Sequence, residues 1–285
     1  MHKNIDETGQ IAKLNLFSGD KDQLLNQIRD HLDTPKNSRD TASNILTIAT
    51  PNSEIVVQSR YDTIFAALLD QFSIRIPDGA GLVKAAQMIG ALPKIRRRIA
   101  GVDVVKAVLA ESFLASGTVF ILGGRGYGGL QYESWFVRDV TKTEGVDNTP
   151  DNNKTLWWHY GFLESSDQSP EEEHAIREAI EKIKPVVVFV ALGAPGQERW
   201  VQRNKEWLAV AGVRVAMVVG GSFDMLLGKI TRAPEWMQKN GLEWIYRLYQ
   251  EPSRWRRQLR LVQFVYIFGL EWFRAQLNKQ NHIKK

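Results

Sequence analysis

Five short runs of the chain are apolar without alternation: NILTIAT (44–50), SIRIP (73–77), TVFILGG (118–124), VVVFVALG (186–193) and VRVAMVVGG (213–221). A strand with one wet face alternates apolar and polar positions, whereas a strand covered on both faces reads as continuous Val, Ile, Leu and Phe. Helix-length segments with helical spacing separate these runs, at 53–72, 79–90, 101–116 and 169–184. The last opens with Ser169-Pro170-Glu171-Glu172, the order expected of an N-cap, a first-position proline and acids in the first turn. Strands alternating with helices predict a parallel α/β sheet flanked by helices. In such folds ligands bind beyond the carboxyl ends of the strands, which directs attention to Thr50, Asp78, Gly123, Gly193 and Gly220. Residues 141–155 are polar and rich in turn formers, and read as a surface loop.

Composition narrows the classes. A chain of 285 residues with 44% hydrophobic content holds one large α/β domain or two smaller ones with a sizeable core. The net charge is +5, but from Glu251 onward there are eight Lys/Arg against two acids, leaving 29 basic and 30 acidic residues elsewhere. Basic character therefore belongs to the tail, and a body-wide nucleic-acid footprint is not expected. With no cysteine there is neither a disulfide nor a thiolate metal site. The first sixteen residues lack an apolar core flanked by positive charge, so they do not read as a signal peptide and a cytoplasmic location is expected. The apolar stretch from Leu259 to Leu270 is interrupted by Arg260 and Gln263 and falls short of the ~20 residues of a spanning helix.

Each candidate motif has a structural reading beside its chemical one. In GGRGYGG, Gly124, Gly126 and Gly129 satisfy the G-x-G-x-x-G pattern after an apolar strand, but the ribose-binding acid is expected about 20 residues on at the end of a second strand, and there the sequence offers only the polar loop. Asp20 and Asp22 form a D-x-D pair of the kind that holds a divalent cation, yet they open a helix, where acids act as caps. His159 has no partner at metal-ligand spacing. Thr50 and Asn52 follow the first strand, Asp78 the second, and Gln197 and Asp224 two later ones. Singly, each fits turn or cap chemistry; together they place four polar strand-end sites at one edge of a single sheet.

Taken in order, TPN (50–52), DGAG (78–81), RRRIAGVD (96–103), FILGG (120–124), HYGF (159–162), ALGAPGQE (191–198), VGGSFD (219–224), RAPEWMQKNGLEWIYRL (232–248) and EPSRW (251–255) resemble the WecG/TagA/CpsF glycosyltransferase family, from about Leu14 to Arg257. The resemblance implies a Rossmann-like, mostly parallel sheet flanked by helices, with an α/β core over 1–231 and a C-terminal helical, membrane-associating appendage over 232–285. It implies inverting transfer of an N-acetylmannosamine-type sugar from UDP to a polyprenyl-diphosphate-linked amino sugar in bacterial cell-surface polysaccharide synthesis, with no required metal and no cofactor. Asp78 matches the proposed general base, Thr50 and Asn52 the polar residues beside it, and Arg98, Gln197 and Asp224 other site positions. Gly123 and Gly124 fall on the glycine loop, where backbone amides can meet a diphosphate. Gly196 stands where the family usually has lysine. The competing readings are an NAD-dependent nucleotide-sugar oxidoreductase or epimerase using GGRGYGG, and a non-enzymatic module that binds anionic lipid.

The tail has two expected roles. Arg232, Arg247 and Arg254 match the C-terminal arginines proposed in that family to fold over the sugar nucleotide; their bland reading is as solvated, lipid-facing residues. Residues 254–277 combine aromatic and aliphatic side chains with early arginines, which fits the inner face of the plasma membrane. An apolar helix face of this kind also fits a second copy of the chain.

Overall fold

The computed structural model describes residues 10–11, 14–34, 45–89, 94–111, 118–142, 154–163 and 169–283, with the backbone alone at 10–11, 254, 256–257, 271 and 274–283. In chain order the elements are β1 (Gln10–Ile11), β2 (Leu14–Asn15), α1 (Lys21–Asp33), β3 (Leu46–Ala49), α2 (Ser53–Tyr61), α3 (Thr63–Asp70), β4 (Ile74–Arg75), α4 (Ala80–Ile89), α5 (Gly101–Ala110), β5 (Val119–Gly123), β6 (Gln131–Tyr132) and β7 (Trp135–Asp139). They continue with β8 (Lys154–His159), α6 (Pro170–Ile183), β9 (Val187–Ala191), α7 (Gly196–Val210), β10 (Val215–Val218), α8 (Ser222–Leu226), α9 (Glu235–Asn240), α10 (Glu243–Gln250), a 3-10 turn (Pro252–Arg254) and α11 (Trp255–Ile283).

Eight strands form one sheet in the order β4-β3-β10-β9-β5-β8-β7-β6, parallel throughout except for the β6–β7 pair at one edge. The fold is thus α/β and Rossmann-like, and the five apolar runs supply β3, β4, β5, β9 and β10. In β5 every side chain is buried. Alternate residues divide between two layers: Phe120, Leu122, Val188, Val190, Ala216 and Val218 join one core, and Val119, Ile121, Val187, Phe189, Val215 and Met217 the other. The first is covered by α2, α3, α4, α6, α7 and Phe264, Ile267 and Phe268 of α11, the second by α1, α5 and α8. Burial on both faces is what removed alternation from these strands.

Three differences from the sequence expectation have clear causes. The helical segment 53–72 is two helices, because Asp62 ends α2 and its Oδ1 accepts from Phe65 N at 2.9 Å to start α3. A short carboxylate offers the backbone an alternative to continuing the helix. Strands β6, β7 and β8 extend the sheet where no continuous apolar run marks them. Their Trp rings are covered by basic side chains, Arg138 over Trp157 at 5.3 Å and Lys154 over Trp135 at 5.1 Å, so the strands read as mixed and polar. Finally, the segment expected as a loop over 141–155 ends inside a strand: Lys154 and Thr155 open β8, and Asp139 Oδ1 accepts from Thr141 N at 3.0 Å at its start. Residues 143–153 lie outside the described residues.

The predicted caps at Ser169 and Asp20 form. Ser169 Oγ accepts from Glu172 N at 3.2 Å with Pro170 in the first turn. Asp20 makes a capping box with Gln23, each side chain accepting from the other's backbone N–H at 2.9 Å, so the first carboxylate of the D-x-D pair is engaged in starting α1.

Candidate active site

A cleft of about 1200 Å³ opens beyond the carboxyl ends of β3, β4, β5, β9 and β10 and is closed on one side by α10 and α11. Thr50, Asn52, Asp78, Arg98, Gly124, Gln197, Asp224 and Arg247 all line it. Gly123 and Arg232 are not part of its lining. The Arg254 side chain lies outside the described residues; its backbone is in the 3-10 turn just before α11.

Asp78 follows β4. Its N–H donates to Pro51 O at 2.9 Å, which ties the loop after β4 to the loop after β3. Oδ2 accepts from Gly101 N at 3.1 Å, so the carboxylate caps α5, whose own preceding residue, Ala100, has no side chain able to do so. Oδ1 accepts from Arg98 Nε at 3.3 Å and Nη2 at 3.2 Å. The side chain keeps 26% of its surface accessible from the cleft. Burial pushes its pKa up, against the opposing pull of Arg98 and the Gly101 N–H. Close by, a methyl group on Gly101 would stand 3.3 Å from both Asp78 Oδ2 and Thr50 Cγ2 and 3.7 Å from Ser222 Oγ, which shows how tightly these three side chains gather. The Thr50 hydroxyl donates to Val218 O at 3.2 Å, and Asn52 Oδ1 accepts from Ile55 N at 3.0 Å as the N-cap of α2.

Arg98 is engaged twice, since its Nη1 also meets Glu243 Oε2 at 2.6 Å. Glu243 Oε1 lies 3.6 Å from Arg232 Nε, and Arg232 grips Asp103 through Nη1 and Nη2 at 2.5 and 3.0 Å. Five charges of alternating sign thus run from Asp78 through Arg98, Glu243 and Arg232 to Asp103. Burial works against the Asp103 carboxylate, but the Arg232 fork still holds its pKa below the usual value.

Across the cleft, the glycine loop after β5 runs into β6, not into a helix. Gly124, Gly126 and Gly129 have φ of +74°, +64° and +82°. They curl the chain around the fully buried Tyr127, and a Cβ on Gly124 would collide with its ring. A dinucleotide fingerprint needs a helix N-terminus at that turn, and here there is none. Tyr127 Oη donates to Asp224 Oδ1 at 2.8 Å, and burial followed by the Asp224 charge holds the phenol far above its ordinary pKa. Asp224 stands beside Arg247, whose guanidinium lies over Gly221; Arg247 Nε donates to Glu251 Oε2 at 3.2 Å. Arg247 Nη2 is buried with no hydrogen-bond partner among the described residues.

At the start of α7, Gln197 Oε1 accepts from Gly220 N at 3.3 Å while its Nε2 donates to Glu198 Oε1 at 2.9 Å. Glu198 has no accessible surface, and burial raises its pKa to about 7. Glu198, Glu243 and Tyr127 were not singled out from the sequence. All lie inside the quoted motifs, but nothing in the residue pattern distinguishes a buried acid from a surface one.

A carboxylate, two guanidinium groups and glycine loops thus gather at the carboxyl edge of a Rossmann-like sheet, where α/β folds bind their ligands. The comparisons are specific. Residues 10–278 match the model of the glycosyl transferase WecG/TagA/CpsF family. An N-acetylglucosaminyldiphosphoundecaprenol N-acetyl-beta-D-mannosaminyltransferase of Bacillus subtilis (strain 168) is 29% identical over 240 residues, covering 84% of this chain and 83% of its own. A protein of the same description from Bacillus spizizenii is 30% identical over 218 residues, covering 76% of each chain. The chain belongs to the WecG/TagA/CpsF glycosyl transferase family and is a glycosyltransferase.

Proposed function

We propose that the cleft transfers an N-acetylmannosamine-type sugar from UDP, with inversion, to an amino sugar carried on a polyprenyl diphosphate. The observation that carries the mechanism is Asp78: a carboxylate at the cleft wall, fixed by Gly101 N–H and Arg98 and made more basic by burial. The acceptor hydroxyl attacks the anomeric carbon on the face opposite UDP. Its proton passes to Asp78, the bond from carbon to the UDP oxygen breaks, and the electron pair leaves with UDP. Negative charge then grows on the diphosphate. Arg247, with its buried unpartnered Nη2, and the backbone of the loops at Gly193 and Gly221 stand ready to meet it. Thr50 and Asn52 hold the β3 end and the start of α2 against the acceptor side of the base. The names of the two Bacillus relatives support this donor and acceptor class.

The appendage over 232–285 places the site on lipid. No helix among the described residues is long and apolar enough to cross a membrane. One face of α11 is buried, but Trp255, Leu259, Val262, Tyr266 and Phe273 are exposed at spacings of three, four and seven residues. That stripe fits the acyl boundary of the inner leaflet, and four of its residues, Trp255, Leu259, Val262 and Tyr266, also line the cleft.

The test pairs a panel of UDP-sugars with a synthetic polyprenyl-diphosphate-linked acceptor. One N-acetylmannosamine-type donor is consumed, with an inverted linkage by NMR. Asp78→Asn lowers turnover by about 10²–10⁴ while UDP-sugar affinity stays close to wild type. Near-normal turnover of Asp78→Asn removes Asp78 as the base.

A further inference from the structure

We infer that Glu243, on the first turn of α10, is a positioning residue for the reaction: it shares Arg98 with Asp78 and thereby keeps the base from being neutralised by that guanidinium. The inference rests on Asp78 being the base, and it begins from geometry. Arg98 presents Nε and Nη2 to Asp78 at 3.3 and 3.2 Å but Nη1 to Glu243 at 2.6 Å, so its shorter contact goes to the C-terminal segment. An arginine that faced Asp78 alone would form a paired fork with both carboxylate oxygens, and such a fork makes a poor proton acceptor of its partner. Here Asp78 Oδ2 is turned to Gly101 N instead.

Asp78 meets Arg98, the N–H at the start of α5, and more distantly the charge of Glu243; the Thr50 and Ser222 hydroxyls nearby are neutral. Glu243 meets Arg98 and Arg232, and Arg232 is anchored by Asp103 of α5, with Lys106 farther out. Glu243 adds a negative charge beside Asp78, which raises its affinity for a proton. Removing Glu243 and removing Arg232 therefore push Asp78 in opposite directions. Without Glu243, the Arg98 charge acts on Asp78 unshared. Without Arg232, the Glu243 charge is less compensated and acts on Asp78 more strongly.

The experiment is the pH profile of kcat/KM for the donor, with full-length wild type, Glu243→Gln, Arg232→Gln, Asp78→Asn and the exposed appendage control Glu235→Gln. The acid limb reports protonation of the base in the free enzyme. Glu243→Gln keeps an oxygen for Arg98, and its acid limb moves to lower pH by roughly half a unit or more. Its plateau falls about threefold, as expected of a weaker base. Arg232→Gln moves the limb to higher pH, and Glu235→Gln leaves it in place. A merely structural role lowers the rates without moving either limb. If Asp78→Asn is inactive and the limbs of both charge variants coincide with wild type, the positioning role is overturned and the base assignment stands. If Asp78→Asn keeps near-normal activity, the base assignment fails and the inference goes with it. Should one charge variant not fold, the limb of the other decides by its sign.

Discussion

A single methyl group at position 221 tests whether Arg247 belongs to the donor site. Gly221 has φ of −87°, a conformation open to alanine, so Gly221→Ala carries no backbone strain. The new Cβ stands 3.4 Å from Arg247 Cζ, 3.0 Å from Asp224 Oδ2 and inside contact distance of Arg247 Nη2. Relief of that overlap needs the guanidinium to move by roughly 1 Å, since non-bonded heavy atoms settle near 3.5 Å. The colliding atoms are the ends of flexible side chains, so folding is little affected; a loss of unfolded-state freedom even adds about 0.4–1 kcal/mol. Catalysis is less forgiving, because a misplacement of ~1 Å at a positioning group costs about 10²-fold. The assay is transfer to a water-soluble acceptor without vesicles, which takes lipid binding out of the measurement, alongside thermal unfolding and UDP calorimetry. We expect an unchanged or slightly raised Tm and a kcat lower by about 10². A Gly221→Ala protein with native Tm and native kcat would refute the placement of Arg247 on the departing diphosphate.

Two further outcomes follow from burial and exposure. Trp272→Ser with Phe273→Ser removes two exposed rings from α11 outside the cleft lining; vesicle flotation falls at least tenfold, from losses of about 1.5–3 kcal/mol per ring. Turnover on a soluble acceptor stays at wild type, and unchanged flotation would remove α11 as the lipid contact. Glu198→Gln alters how stability depends on pH. Burial raises the Glu198 pKa from an ordinary 4.5 to about 7, so the folded protein binds the extra proton between those values and wild-type stability falls as pH rises through that window. The variant lacks this dependence. In urea unfolding its stability relative to wild type improves from pH 5 to pH 8 by up to roughly 3 kcal/mol, and parallel profiles would contradict the burial argument.

The central strands were legible because burial on both faces leaves a simple mark, an unbroken Val, Ile and Phe run such as 119–122 or 187–190. Strands β7 and β8 were not, since Arg138 and Lys154 beside their rings break the apolar run. The cleft residues Thr50, Asn52, Asp78, Gln197 and Asp224 could be placed from the strand ends that precede them. Their partners could not. Glu243 reaches Arg98 across 145 positions of chain, and only the folded return of α10 over the sheet edge brings the two together. Likewise the glycines of GGRGYGG announce a tight turn, but nothing in their spacing says that the turn curls around Tyr127.

The two-faced helix α11 restricts how the enzyme can meet a surface. Phe264 and Phe268, 4.4 Å apart, are buried against the core, and Arg260 reaches Glu54 and Gln58 of α2 at 3.2 and 3.3 Å. The helix cannot swing away on a tether without stripping those contacts. Its 29 residues, about 43 Å long, form a rigid keel fixed to the hull of the protein. As the proposed lipid contact, such a keel would set draught and heading together. Under the lipid contact proposed above, the mouth of the cleft would be held at one height and one orientation, so a carrier lipid confined to that plane would have to slide and turn, but not rise, to present its sugar.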